Sequence, residues 1–313
     1  MSKVRSYLSL IKFSHTIFAM PFALIGFSLG ISTGLIDDGR YYLNKTVGWG
    51  WDIHNPVFWQ FHKGVLLSKF VLVILCMVFA RSAAMAFNRY LDRKFDAANP
   101  RTAIREIPRG IISANNALIF TIISCALFLV TCFFINRLCF YLSPVALLVV
   151  LGYSYTKRFT ALCHLVLGLG LSLAPIGAYI AVTGRFDFLP ILFSLSVIFW
   201  VSGFDIIYAL QDEEFDKSQK LYSMPAWLGK AKALRVSEIF HLFSAGAVIV
   251  AGFYGNFGWL YWIGVAVFAG MLIYQHSLVK PNDLRKVNIA FMTANGIASV
   301  VFAIFVIADL FLN

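Results

Sequence analysis

The sequence predicts an all-α membrane protein, and three of its properties lead to this fold class. Hydrophobic residues make up 60% of the 313-residue chain and charged residues only 13%, with a mean hydropathy of +0.78. A soluble domain carries about twice that share of charged residues, so a water-soluble fold would leave apolar surface uncovered. Apolar stretches recur along the whole chain, and the basic residues between them are unevenly distributed.

Each apolar stretch is expected to form a helix, because a backbone inside lipid must satisfy its hydrogen bonds internally. A membrane span needs about 20 apolar residues. Nine stretches of roughly this length occur, at about 14–36, 66–90, 114–135, 138–155, 161–183, 189–211, 234–252, 257–278 and 288–312. The chain is therefore predicted to form one domain, residues 1–313, built as a nine-transmembrane-helix bundle.

The basic residues predict how this bundle is oriented. With the N-terminus in the cytoplasm, 18 of the 26 Lys and Arg residues fall on the inner side and six on the outer side. This excess predicts a bacterial-type inner membrane protein with a cytoplasmic N-terminus and an outer C-terminus. The same loops account for the net charge of +11, so no nucleic-acid partner is inferred. The longest outer loop, residues 37–65, carries three Trp residues expected at the membrane interface.

Two acidic motifs are the main functional signal. The first reads Asn88-x3-Asp92-x3-Asp96, and a similar pattern, shifted by a constant 120 residues, ends in Asp212-x3-Asp216. A spacing of four places two carboxylates on one helical face, about 6 Å apart, where they repel unless a cation lies between them. Mg2+ prefers oxygen ligands of this kind together with phosphate oxygens. These five residues are therefore predicted to be metal ligands.

Basic residues on the same predicted side of the membrane as the motifs, in the loop after the first motif and at the end of the fourth predicted span, predict a phosphate-binding function. The candidates for diphosphate binding are Arg101, Arg105, Lys157 and Arg158. Arginine pairs with phosphate through two parallel hydrogen bonds and stays charged. Carboxylates, Mg2+ and bases together can neutralise a departing diphosphate. His15, His164 and His241 have no partner at metal-ligand spacing, so packing or interfacial roles are predicted for them.

The combination of motifs resembles the UbiA superfamily of intramembrane prenyltransferases, in its 4-hydroxybenzoate polyprenyltransferase-like subgroup. The matching segments are Asn88-x3-Asp92-x3-Asp96, Arg101-Thr-x2-Arg105 and Asp205-x2-Tyr208-Ala-x2-Asp212-x3-Asp216. The resemblance implies a bundle around a central cavity with cytoplasmic cap loops. It also implies Mg2+-dependent transfer of a polyprenyl group from an allylic diphosphate to a hydroxylated aromatic acid in quinone biosynthesis. Asp92, Asp212 and Asp205 are then the expected catalytic residues.

The acceptor site is predicted partly from the same resemblance. Asp205, with Tyr208 beside it, is expected to orient the acceptor, and Lys12 to pair with the carboxylate of the acid. The chain departs from the subgroup around Lys12, where an Arg-x-Asp-x-Pro-x-Gly sequence is usual, and in the loop 221–225. A naphthoate acceptor, in menaquinone synthesis by the futalosine route, is the alternative. Outside the enzymes the alternative is a cation-coupled transporter, which would need acidic residues near the midplane on broken helices.

Overall fold

A computed structural model of the chain describes residues 3–11, 18–38 and 63–312, with side chains at 6–11, 18–33 and 64–312. These residues are helical nearly throughout. The helices are α1 (Lys3–Leu10), α2 (Met20–Asp38), α3 (Lys63–Leu91), α4 (Arg93–Ala98), α5 (Ala114–Ile135), α6 (Arg137–Thr156), α7 (Cys163–Thr183), α8 (Phe188–Ala209), α9 (Glu213–Ser218), α10 (Met224–Leu228), α11 (Lys230–Tyr254), α12 (Trp259–Leu278) and α13 (Asn295–Leu312). A 3-10 turn, Leu210–Asp212, follows α8, and a π-helical turn, Ile289–Ala294, precedes α13.

The helical membrane fold predicted from the sequence is confirmed. A long helix covers most of each predicted span, namely α2, α3, α5 to α8 and α11 to α13. Seven helices among the described residues are long and apolar enough to cross a membrane. In α2 only Met20–Thr33 is covered by this result, because the side chains beyond Thr33 are not described, and α12 is not among the seven. Nine crossings therefore remain a prediction, as does the orientation of the bundle. Residues 39–62, most of the predicted outer loop, lie outside the described part.

Aromatic side chains from four helices form the largest buried cluster of the bundle. Their rings contact one another at centroid distances of 5.1 to 6.3 Å, in tilted and edge-to-face arrangements that favour aromatic attraction. The central members are Phe22 of α2, Trp200 and Phe204 of α8, Phe268 of α12 and Phe302 of α13. This cluster packs α8 against α2, α12 and α13, and so fixes the helix that carries the second acidic motif.

Two glycines allow α7 to lie directly against its neighbours. A Cβ atom at Gly26 of α2 would overlap the carbonyl oxygen of Pro175, and one at Gly168 of α7 would overlap that of Ile198. Apolar burial drives helix association only weakly in lipid, so close backbone contact at small residues carries much of it. These contacts place the start of α7 beside α8, where candidate site residues of the two helices meet.

Candidate functional site

Both acidic motifs lie at a break in a long helix. Asp92 follows α3 with φ −88° and ψ 5°, and Asp212 follows α8 and its 3-10 turn with φ −104° and ψ 5°. Few residues adopt this bridge conformation, which recurs at active sites. Each break leads into a six-residue helix, α4 or α9, and the two helices are again offset by 120 residues. The two motifs, 120 residues apart in the sequence, thus also share a backbone conformation. Neither motif lies on the uninterrupted helical face that its spacing predicts.

The four motif carboxylates form ion pairs with the four predicted diphosphate-binding bases. The pairs are Arg158 Nη2 to Asp92 Oδ1 at 2.7 Å, Arg105 Nη1 to Asp96 Oδ1 at 2.5 Å, Arg101 Nη2 to Asp212 Oδ2 at 2.5 Å and Lys157 Nζ to Asp216 Oδ1 at 2.7 Å. The structure therefore brings the candidate metal ligands and the candidate phosphate ligands into one cluster, in which opposite charges alternate.

Arg101 connects the two motifs. Its Nε and Nη2 atoms donate to both carboxylate oxygens of Asp212, and its Nη1 atom donates to the Tyr208 hydroxyl at 3.1 Å. Asn99 of the same loop also donates to Asp212, at 3.2 Å. Burial by itself would lower the pKa of Arg101, but the Asp212 carboxylate raises it above its usual value. The loop after the first motif is thus anchored to the second.

The other half of the cluster is arranged around Asp92 and Lys157. Asn88 Nδ2 donates to Asp92 Oδ2 at 3.0 Å. Burial raises the pKa of Asp92, and the Arg158 guanidinium opposes this shift. Burial would lower the pKa of Lys157, but its contact with the Asp216 carboxylate raises it instead. Lys157 thus stays charged at neutral pH.

Two buried carboxylate oxygens of the cluster, Asp96 Oδ2 and Asp216 Oδ1, accept no hydrogen bond within the described part of the chain, and of these only Asp216 Oδ1 has a close ion-pair partner, Lys157. The Arg89 Nη1 atom is 3.9 Å away from Asp96 Oδ2. The described residues contain no group of three His, Cys, Asp or Glu side chains close enough to hold a metal ion by themselves. A cation at this cluster would therefore need further oxygen ligands, such as those of a phosphate group.

Asp205 lies deeper than the motifs, and its partner is His164. The His164 Nδ1 atom is 2.6 Å from Asp205 Oδ2, and the backbone N–H of Met224 donates to His164 Nε2 at 3.2 Å. The imidazole is nearly fully buried, whereas the Asp205 side chain keeps 25% of its surface exposed. His164 therefore does more than pack, which was the role predicted for it. Both of its ring nitrogens form hydrogen bonds, and one of these is to the candidate acceptor residue Asp205.

One cavity of about 970 Å³ joins the charged cluster to a long apolar channel. Asp92, Asp205 and Asp212 line its charged end. Its apolar wall comes from α3, α5, α6 and α7, and includes Val73, Cys76, Ile135, Gly177 and Ala181. Val73 precedes Asp92 by 19 residues, which corresponds to about 28 Å along a helix. The channel thus extends over nearly the thickness of a hydrocarbon core.

Several residues of the site were not predicted, and one predicted site residue is not among those that the structure describes. The residues that add polar contacts are Arg89, Asn99, His164 and Ser223. The Ser223 Oγ atom donates to Asp216 Oδ2 at 2.8 Å. Of these four, only Arg89 could be recognised in the sequence as a candidate functional residue, because it is a charged residue inside a predicted span. Lys12 and His15 lie outside the described residues.

The family model described as the UbiA prenyltransferase family matches residues 54–297. The chain belongs to this family. A UbiA relative named 4-hydroxybenzoate octaprenyltransferase, from Nitrosospira multiformis, is 32% identical over 78% of this chain and 84% of its own. A second relative of that name, from Tolumonas auensis, is 30% identical over 78% and 86% of the two chains. Family membership confirms the predicted enzyme class, a prenyltransferase, and decides against the transporter.

Solved structures of UbiA homologues share the fold. The apo structure of a homologue from Aeropyrum pernix K1 is similar with a TM-score of 0.73 and 26% identity, covering 95% of this chain and 97% of that one. A homologue from Archaeoglobus fulgidus bound to GPP and Mg2+ gives a TM-score of 0.67 at 20% identity, covering 97% and 99%. The helical arrangement around the cavity is therefore that of the family.

Proposed function

We propose that this UbiA protein transfers a polyprenyl group from an allylic diphosphate to a hydroxylated aromatic acid, in an Mg2+-dependent reaction of quinone biosynthesis. The observation that carries the proposal is a cavity of the described residues that has paired carboxylates and bases at one end and an apolar channel beyond them. The names of the two bacterial relatives support the acceptor class. The GPP and Mg2+ bound to the Archaeoglobus homologue support the donor and the metal.

The residues at the charged end suit Mg2+. The carboxylates and the amide of the two motifs offer oxygen donors of the hard type that this ion prefers, and Asp96 Oδ2 is buried without a hydrogen bond. The proposed ligands are Asn88, Asp92, Asp96, Asp212 and Asp216. Mg2+ held there would neutralise negative charge on the diphosphate of the donor. Because the protein ligands are spread over two motifs, the diphosphate oxygens would complete the coordination.

The four bases are proposed to bind the diphosphate itself. Each side chain is partly exposed, between 21% and 35%, so each can turn from its carboxylate towards a bound anion. Their hydrogen bonds would strengthen as charge develops on the leaving group, and this preference lowers the barrier. The bases are Arg101, Arg105, Lys157 and Arg158.

The proposed reaction breaks the bond between the allylic carbon and the diphosphate oxygen, and the electron pair leaves with the diphosphate. Tyr153 and Tyr208 line the cavity, and their ring faces can stabilise the allylic cation. A ring carbon of the acceptor then forms the new carbon–carbon bond and loses its proton to a base, for which Asp205 is the candidate. Asp205 would accept a hydrogen bond from the acceptor hydroxyl, which makes the ring more nucleophilic.

The apolar channel is proposed to hold the isoprenoid chain. Its walls are aliphatic and small side chains of α3, α6 and α7, which offer apolar contacts and few polar ones. A polyprenyl chain in water would expose a large apolar surface, so its burial here favours binding. The position of the channel, directly beyond the charged cluster, suits a donor whose diphosphate lies at one end.

The experiment is a transfer assay with purified protein, Mg2+, a labelled prenyl diphosphate and a panel of acceptors. The panel contains 4-hydroxybenzoate, a hydroxynaphthoate and an uncharged phenol. We expect 4-hydroxybenzoate to be prenylated and EDTA to stop the reaction. Preference for the naphthoate would preserve the chemistry and change the acceptor. Transfer in the presence of chelator, or no transfer to any aromatic compound, would contradict the proposal.

A further inference from the structure

His164 forms a hydrogen-bonded bridge between two parts of the site. Its Nδ1 atom contacts the Asp205 carboxylate, and its Nε2 atom accepts the backbone N–H of Met224. Met224 follows Ser223, whose hydroxyl donates to the Asp216 carboxylate and accepts the N–H of Ala226 at the start of α10. His164 thus links the candidate acceptor residue to the loop that supports the second acidic motif.

The contact with Met224 determines which ring nitrogen of His164 carries a proton. A backbone N–H can only donate, so Nε2 must accept and carry no hydrogen. The proton of the neutral imidazole is then on Nδ1, and Nδ1–H donates to Asp205 Oδ2. Because Nε2 is already engaged by the Met224 N–H, this hydrogen bond favours the tautomer with its proton on Nδ1. His164 therefore acts on Asp205 by orientation.

The consequence for Asp205 is a carboxylate with two different oxygens. Oδ2 is occupied by His164, while among the described residues no hydrogen bond is made to Oδ1. Asp205 lines the cavity and keeps a quarter of its side chain exposed. A histidine that holds one oxygen of a carboxylate in this way fixes the rotamer of that carboxylate. Supporting hydrogen bonds have the same effect in other preorganised sites.

We propose that His164 is a positioning residue for the aromatic acceptor. By holding Oδ2 of Asp205, it turns Oδ1 towards the hydroxyl of a phenolic acceptor. This inference rests on the proposed role of Asp205 in acceptor binding. It assigns His164 no contact with the diphosphate or the metal, so acceptor recognition should depend on His164 more strongly than diphosphate binding does.

The test compares His164→Gln with His164→Leu in the transfer assay. The Gln amide can donate to Asp205 and accept from the Met224 N–H, whereas Leu can do neither. We expect His164→Leu to raise the KM for the aromatic acceptor at least about tenfold, the effect of losing one charge-assisted hydrogen bond. The KM for the prenyl diphosphate should change less than about twofold, and His164→Gln should restore acceptor binding.

A second pair of variants acts through the backbone and leaves the imidazole in place. Met224→Pro removes the N–H that fixes the tautomer together with the methionine side chain, and Pro is suited to the first turn of α10, where Ser223 before it is extended with ψ 161°. Met224→Ala removes the same side chain and keeps the N–H. We expect the acceptor KM to rise with Met224→Pro and to stay within about twofold with Met224→Ala.

The double variant His164→Leu/Asp205→Asn separates positioning from general stabilisation. If His164 acts through Asp205, adding His164→Leu to Asp205→Asn should cost little more. Fully additive losses, a Gln variant as poor as Leu, or a change in the diphosphate KM alone would overturn the inference. If Asp205→Asn impairs acceptor binding and His164→Leu does not, only this inference fails. If Asp205→Asn behaves as the parent, the proposed acceptor site fails with it.

Discussion

The apolar channel allows a quantitative prediction about donor chain length. Gly170 and Gly177 both line the cavity on α7. A Cβ atom at Gly177 would meet no atom within 4 Å, and one at Gly170 would meet Val150 at an ordinary contact distance of 3.7 Å. The Cβ atom of a larger side chain therefore makes no clash at either position, and because both glycines line the cavity a Phe is expected to extend into the channel. Each variant should block the channel at its own depth.

The two blocks differ in depth by seven residues, which is about 10 Å along the helix. An extended chain advances about 1.2 Å per backbone bond, so four bonds of one isoprene unit advance about 5 Å. We therefore expect Gly170→Phe to stop accepting donors at a chain length about two isoprene units shorter than Gly177→Phe. Both variants should retain short donors, because the charged cluster is unchanged.

The assay uses all-trans prenyl diphosphates of one to nine units with a single acceptor on which the parent is active. Gly270→Phe is the matched control, since Gly270 lies on α12 outside the cavity wall and a Cβ there also meets open space. It should have the chain-length profile of the parent. Equal cut-offs for the two channel variants, or a loss of all donors including the shortest, would refute the assignment of the channel.

Three further predictions concern the charged cluster and the membrane. Asp92→Ala and Asp212→Ala should each lower turnover at least ~100-fold and EDTA should abolish it, while Asp283→Ala, an exposed carboxylate outside the cavity, keeps activity. Arg101→Ala should raise the KM of the prenyl diphosphate about tenfold and that of the acceptor less; a selective effect on the acceptor would reassign the residue. Cysteine labelling should find the α4–α5 loop and the α9–α11 segment on the cytoplasmic face and residues 39–62 on the other; external labelling of the first two contradicts the orientation.

The sequence predicted the helices well because their signal is long and local. A stretch of about 20 apolar residues has one stable conformation in lipid, so helix positions follow from composition. The acidic motifs were also visible, because four closely spaced carboxylates beside a membrane are unusual. The break at Asp92 and Asp212 was not visible, since helical spacing continues through it and the change is confined to one residue's dihedral angles.

The partners within the site were harder to predict because they are distant in the sequence. His164 and Asp205 are separated by 41 residues, and Arg101 and Asp212 by 111. A lone histidine in an apolar stretch carries no sign of its partner, so only the packing of α7 against α8 identifies His164. Ser223 and Asn99 likewise bind carboxylates through loops whose paths depend on tertiary structure.

Every motif carboxylate is paired with a base. The electrostatic reason for this pairing affects how variants of the cluster are interpreted. A buried carboxylate without a partner is costly near a membrane, so four of them need four positive charges when no Mg2+–diphosphate is bound. Under the proposed function the same bases, once released from the carboxylates, would supply donors for a bound diphosphate. Removing Arg101 alone leaves Asp212 with the Asn99 hydrogen bond but without its positive partner, and is therefore expected to affect both folding and binding. Removing both partners keeps the charge balanced, and comparison of the single with the double variant separates the loss of a ligand from the loss of the fold.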